Sequence, residues 1–257
     1  MKKKIILGLG IGILVLLVVA ILLVGVFLGG IVKVGMETIG PKITQTSLTV
    51  SSVNISLLSG SAGVNGLVLG NPDGYKAPQA ISVGKASVSL APGSLLSDKI
   101  VIRSIEVRDA EITFEGNPLG ANNLSKLMDN VNALSASANQ SETNPPAASS
   151  SAGTKKPAKK LEVDDFLMSG AKIHANLTGF INKEITLPLP DIHFTDLGKG
   201  DAGVTAADLT KKILGEITTG TLKALTSAVA DLGKDVTGTA GAGVDKLKKG
   251  LGGLFGK

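Results

Sequence analysis

The chain has 257 residues, 43% of them hydrophobic but only 3% aromatic, with one Tyr, no Trp and no Cys. This is enough for one core built from Val, Ile, Leu and Ala; it excludes disulfides, thiolate metal sites and cysteine nucleophiles, and it lacks the stacking platforms that single-stranded nucleic acid needs. The net charge of +5 is local, because Lys2, Lys3, Lys4, Lys155, Lys156, Lys159 and Lys160 together exceed it; the rest of the chain is slightly acidic, and no basic face for DNA or RNA is expected.

Three lysines open the chain and no charge follows from Ile5 to Val32. A helix rises about 1.5 Å per residue, so ~20 residues cross a ~30 Å hydrocarbon layer. The run is longer than the roughly 7–15 residues of a signal-peptide core, and no A-x-A-like cleavage site follows it. A buried soluble helix is the third reading. Residues 1–32 are therefore read as an uncleaved transmembrane anchor, with Lys2, Lys3 and Lys4 before the span, Ile5 opening it and Leu16 and Leu28 inside it. Lysines on this side predict an N-in orientation, with the bulk of the chain outside the cytoplasm. The GLGIG stretch at Gly8–Gly12 lies inside this run with no preceding strand, so it reads as membrane-helix glycine and not a dinucleotide fingerprint.

Residues 33–44 predict a short amphipathic helix, ended by Gly40 and Pro41. Short alternating runs follow. LTVSSVNISLL (Leu48 to Leu58) changes phase between Val50 and Val53, which a bulge or bend at Ser51-Ser52 would reconcile. Gly60 to Gly63 reads as a turn, Val64 to Gly70 as the return strand and NPDG (Asn71 to Gly74) as another turn. The glycine-rich look of residues 55–75 is thus a run of turns: a phosphate loop would feed a helix and carry a GK[ST] triplet, and neither is present. Ile81 to Ser94 slips phase at Gly84, again as a bulge would. Ile100 to Val107 is strand-like, and Ala110 to Gly116 alternates with Ala110, Ile112 and Phe114 inward. Short connections favour an antiparallel sheet with one apolar face.

ANNLSKLMDNVNAL (Ala121 to Leu134) reads as a helix capped by Asn122 or Asn123, with Leu124, Leu127, Met128, Val131 and Leu134 on one stripe. Residues 135–160, rich in Ser, Ala, Pro and Lys, read as a disordered linker. Leu161 to Leu177 and Glu184 to Phe194 resume the sheet pattern, the prolines of the latter suiting an edge strand. From Thr205 the period is helical, with Leu209, Ile213, Leu214 or Ile217, Leu225, Val229 and Leu232 forming the stripe. The tail Val244 to Phe255 is basic and amphipathic, suited equally to a membrane surface, to an apolar groove or to a purely structural terminus.

Catalytic chemistry is sparse. His174 and His193 fall on the polar phase of their strands, the neighbouring Asp164 and Asp165 point to opposite faces, Glu111 and Glu115 share the solvated side, and there is no nucleophile elbow. No enzyme, metal or cofactor is expected. Sequons at Asn54 and Asn176 matter only in a host that glycosylates exported proteins.

The order of parts is informative. An N-terminal span precedes TSLTVSSVNISLLSGSAGVNGLVLGNPDGY, then ISVGKASVSLAPGSLLSDKIVIRSIEVRDAEITFE, GANNLSKLMDN, a low-complexity stretch and LEVDDFLMSGAKIHANL. This resembles the N-terminal region of AsmA-like proteins, over roughly residues 30–200. The resemblance implies an inner-membrane anchor, an exported β-groove with an apolar floor, relatives among bridge-like lipid-transfer proteins and a part in envelope assembly; it brings no catalytic residues. The expected fold is α+β: the anchor (1–32), a mainly antiparallel, curved and groove-like sheet with a closing helix (33–134), the linker (135–160), further strands (161–200) and a second amphipathic helix with a Gly/Lys-rich tail (201–257). The candidate groove floor is Val53, Ile55, Leu57, Ile81, Val83, Val88, Leu90, Ile112, Phe114, Ile173, Leu177, Ile185 and Leu187. About ten strands at ~4.8 Å spacing give a sheet on the order of 50 Å wide, too short to bridge two membranes. Two functions compete: binding or handling lipid in the envelope, its partners being the membrane, acyl chains and other envelope proteins; or a structural adaptor whose helices cover the same face.

Overall fold

The computed structural model describes residues 24–25, 27–143, 159–177, 184–200 and 202–235. The fold is α+β. Helix α1 occupies 24–44, with 26 left out; strands β1 (Leu48–Ser56), β2 (Ser61–Gly70), β3 (Gln79–Leu90), β4 (Lys99–Arg108) and β5 (Glu111–Gly116) follow, with a 3-10 turn at Pro92–Leu96. Helix α2 (Asn123–Thr143), strands β6 (Lys160–Ser169), β7 (Lys172–Leu177), β8 (Glu184–Pro188) and β9 (Ile192–Leu197), and helix α3 (Ala206–Asp235) complete the described elements. All nine strands belong to one sheet. Most of the expected anchor, including Lys2, Lys3, Lys4, Ile5 and Leu16, lies outside the described residues, as do 144–158 of the expected linker and the tail beyond 235. Among the described residues no helix is long and apolar enough to cross a membrane.

The nine strands are six paths across the sheet. β4 and β5 lie parallel to β6 and β7 in one unbroken register, Lys99 opposite Lys160 through to Gly116 opposite Leu177. β8 and β9 likewise share one antiparallel register with β7 and β6. The order across the sheet is β1, β2, β3, β4/β5, β6/β7, β9/β8. Six paths at ~4.8 Å make a sheet roughly 25 Å wide, half the expected width, because strands counted separately in the sequence are continuations of one another.

One crease interrupts every path. Followed rung by rung, the register would align Ser51, Gly66, Gly84, Asp109, Gly170 and Pro190, and none of these residues forms a ladder pair there. Gly66 (φ +59°) and Gly170 (φ +66°) are left-handed at the crease, a conformation that costs other L-residues about 1–2 kcal/mol, and Asp109 (φ +51°) joins them. The crease sets the inward side. Each path steps three positions across it, from Val50 to Val53, Leu67 to Val64, Val83 to Ala86, Ala110 to Val107, Ala171 to Met168 and Leu189 to Ile192. Val83, Ala110, Ala171 and Leu189 meet Val107, Met168 and Ile192 in one buried core, with Ala86 and Leu67 packed against it. Register shifts at neither Ser51-Ser52 nor Gly84: the bulge expected at Gly84 is corrected, and of the bulge or bend expected at Ser51-Ser52 the bend is found, both phase slips being one fold line shared by all paths. The crease divides the sheet into a β5 wing (β5, β7, β8 and the adjoining parts of β1–β3) and a β4 wing (β4, β6, β9 and the rest of β1–β3).

The sheet is mainly antiparallel, as expected, with two parallel pairings: the long connection from β5 through α2 to β6 returns the chain parallel to β4 and β5, as only a long crossover allows. Two sequence expectations change. Residues 135–143, expected in the linker, are the last turns of α2. Helix α1 runs through Gly40 and Pro41 to residue 44 and ends at Gln45, which is left-handed (φ +55°). Proline at 41 has no amide to donate and its ring crowds the carbonyl one turn back, a local cost that the three helical residues after it tolerate.

Helix α1 lies antiparallel along the outer edge of β1. Lys33 Nζ donates to the Ser51 carbonyl (3.2 Å), and Glu37 Oε1 accepts from the Val50 amide (2.8 Å). A Cβ on Gly25 would overlap the Ile55 carbonyl oxygen, and one on Gly29 the Val53 oxygen, so these glycines let the helix touch strand backbone. A helix so placed covers an edge that would otherwise template strand pairing. Leu28, expected in the membrane anchor, is half-buried in this stretch of α1.

Candidate functional site

The inward face is apolar because alternation and the crease put one residue type on it. In the β5 wing one rung carries Leu48, Leu69, Ile81, Ile112, Ile173 and Leu187, and the next carries Phe114, Ala175 and Ile185. In the β4 wing the rung beyond the crease carries Ile55, Ala62, Val88, Ile105, Phe166 and Phe194. The outward face is polar: His174 joins Glu111 and Thr186, His193 joins Asp165 (2.7 Å), and Arg108 pairs with Glu106. Among the described residues no group of three or more His, Asp or Glu could hold a metal ion.

Two helices close the β5 wing. Leu124, Leu127 and Val131 of α2 and Leu214, Ile217, Leu225 and Val229 of α3 enter one core with Ile112, Phe114 and Ile173, all three wholly buried. α3 starts with a capping box in which the Asp208 amide donates to Thr205 Oγ1 (3.1 Å) and Asp208 Oδ2 accepts from the Thr205 amide (3.3 Å). α2 is set by two adjacent asparagines. Asn122 is the cap, its Oδ1 accepting from the Ser125 amide (2.8 Å). Asn123 behaves as a strand partner: its Oδ1 accepts from the Glu115 amide (3.0 Å), and its Nδ2 donates to the Thr113 carbonyl (2.7 Å) and to Asn71 Oδ1 (2.8 Å). Glu115 in turn accepts from the amides of Lys76 and Ala77 in the β2–β3 turn. Burial and the Glu115 carboxylate hold the Tyr75 phenol above its ordinary range. Further along α2, Asn130 Nδ2 donates to the Thr44 carbonyl (2.8 Å), tying α2 to the end of α1.

The candidate floor residues therefore separate into two environments. Ile81, Val83, Ile112, Phe114 and Ile173 are buried beneath the helices, with Ile185 and Leu187 half-buried at the wing's edge; Leu177 ends β7 opposite Gly116. Val53 is buried beside α1, whereas Ile55, Val88 and Leu90 are half-buried on the β4 wing, and Leu57 sits in the β1–β2 turn and not in a strand. Ile102 and Ile105, absent from the expected set, share rungs with Leu90 and Val88. Strict alternation could not select both, since they fall on opposite phases of Ile100 to Val107; the register shift between Ser89 and Leu90 brings Ile102 opposite Leu90 while Ile105 stays opposite Val88. Asn123 carried no signal of its role, because a capping asparagine and a strand-mimicking one look alike in sequence.

Compared with known proteins, the chain matches no family model, no curated protein and no solved structure.

Proposed function

We propose that the chain is a membrane-anchored, exported protein of the cell envelope, similar in plan to AsmA-like proteins, that handles lipid acyl chains on the β4 wing of its inner sheet face. The reading is non-enzymatic and places the protein in the inner membrane, N-in, with the sheet outside the cytoplasm. The observation that carries it is the apolar inner face, continuous over six paths and two wings, with Ile55, Val88, Leu90, Ile102 and Ile105 half-buried at one side of it. Further support comes from α1, which leads directly out of the uncharged run ending at Val32. An acyl chain laid on such a surface gains roughly 0.8 kcal/mol per buried methylene. A second reading, an envelope adaptor that holds no lipid, is favoured by the β5 wing, where α2 and α3 occupy the place a ligand would take.

Purification of the full chain in mild detergent, followed by mass spectrometry of extracted lipid, separates the two. Near-stoichiometric lipid is expected from the wild type, and a several-fold loss from Leu90→Asp, which puts a charge on the floor of the β4 wing. A protein bare of lipid, with Leu90→Asp as functional as wild type, would establish the adaptor.

A further inference from the structure

We propose that the end of the sheet carrying the β1–β2 turn and the 3-10 turn lies in the surface of a lipid bilayer, with Leu58 and Leu96 among the acyl chains beside the N-terminal anchor. The inference rests on the anchor proposed above and adds a second, sheet-borne membrane contact. Three described segments meet at this end. Gly60 in the β1–β2 turn accepts from the Leu90 amide (2.6 Å) and lies against Pro92, which opens the 3-10 turn. The described start of α1 is at the same end, with Gly25 against the Ile55 carbonyl. Each segment exposes a large apolar side chain: Leu58 is 69% exposed, Leu96 96% and Phe27 72%. A lone exposed leucine is ordinary on a soluble surface, but several gathered at one end mark an interaction site.

Direction and charge identify the occupant as lipid. α1 runs antiparallel to β1, so moving toward its N-terminus is moving along β1 toward Leu58. Leu58 lies beyond the end of β1 at Ser56, in the turn that follows Ile55. The described start of α1, which the uncharged sequence Ile5 to Leu23 precedes, is at this same end of the sheet, and that stretch is long enough to span roughly 28 Å as a helix. At the same end Lys159 Nζ donates to the Leu95 carbonyl (2.6 Å), next to Lys160; Lys99, opposite Lys160, is held by Glu162. Exposed leucines beside Lys159 and Lys160 match acyl chains beneath anionic headgroups.

The chain has no cysteine, so each of Leu58→Cys, Leu96→Cys and Asp73→Cys introduces a unique thiol; Asp73 is in the β2–β3 turn at the opposite end. The full chain, carrying an environment-sensitive fluorophore at each thiol in turn, is reconstituted into vesicles of phosphatidylethanolamine and phosphatidylglycerol. Nitroxide-bearing lipid is expected to quench the labels at 58 and 96 several-fold more than the label at 73, with aqueous iodide giving the reverse order. If the protein floats with the vesicles but all three labels quench alike, the sheet end is not in the bilayer and this inference is overturned while the anchor stands. If the protein does not float with the vesicles, the anchor itself is wrong and the inference falls with it.

Discussion

Asn123→Leu is expected to destabilise the protein by about 3 kcal/mol, lowering its melting temperature by roughly 6–12 °C in a thermal melt of the detergent-purified full chain. Leucine has the same branching and number of side-chain heavy atoms but is bulkier, so some overpacking adds to the cost at this buried position. What is lost is one acceptor and two donors. The Glu115 amide and the Thr113 carbonyl are left without their partner beside a wholly buried residue, and each such orphaned group costs about 1–3 kcal/mol. Asn122→Ser is the matched control. It keeps an oxygen for the Ser125 amide but gives up the Nδ2 donations to the Gly120 and Asn117 carbonyls, and is expected to cost about 1 kcal/mol, well short of Asn123→Leu. Equal effects from the two variants would mean that Asn123 acts only as part of the helix start.

Phe114→Ala is expected to cost about 3–5 kcal/mol, and Leu90→Ala no more than about 1 kcal/mol, by chemical denaturation of the same preparation. Phe114 is wholly buried under α2 and α3, so truncation leaves a cavity that its neighbours cannot refill. Leu90 is half-buried, and water or ligand can take the space its side chain vacates. The contrast measures how differently the two wings are built: the β5 wing is filled by the chain's own helices, whereas the β4 wing is buried at Val163, Phe166 and Leu197, with α3 reaching Phe194, and only partly shielded on its β3–β4 side at Val88, Leu90 and Ile105. Similar costs at both positions would show the β4 wing to be as closed as the β5 wing, and would remove the surface on which lipid is proposed to lie.

Much of the secondary structure could be read from alternation. The runs from Leu48, Val64, Ile100 and Ala110 are strands in the expected places, and the leucine stripes of α2 and α3 face the sheet. The phase slips in the first and third strands are visible too, as a bulge or bend at Ser51-Ser52 and a bulge at Gly84, each local to its own strand. The same step of three recurs at Val107–Ala110, Met168–Ala171 and Leu189–Ile192, but alignment of the slips depends on register, which only pairing reveals. Pairing direction was mostly legible: short turns dictate antiparallel neighbours, and only the long connection through α2 adds the two parallel pairings, β4 with β6 and β5 with β7. The edge-covering role of α1 was hidden because Gly25 and Gly29 lie in an apolar run, where glycine reads equally as a membrane-helix residue. As for the candidate site, alternation located the apolar face, but it could not tell a floor roofed by helices from one left accessible, since Phe114 and Leu90 obey the same pattern.

The central claim is that lipid lies on the β4 wing of a membrane-tethered sheet. The most direct measurement is photo-crosslinking in intact cells, with a benzophenone amino acid placed at Val88 in one variant of the full chain and at Ile112 in another. A lipid adduct at position 88 and none at 112, both read by mass spectrometry of the purified protein, is the predicted result. A position 88 that yields only protein adducts, or none, would contradict it.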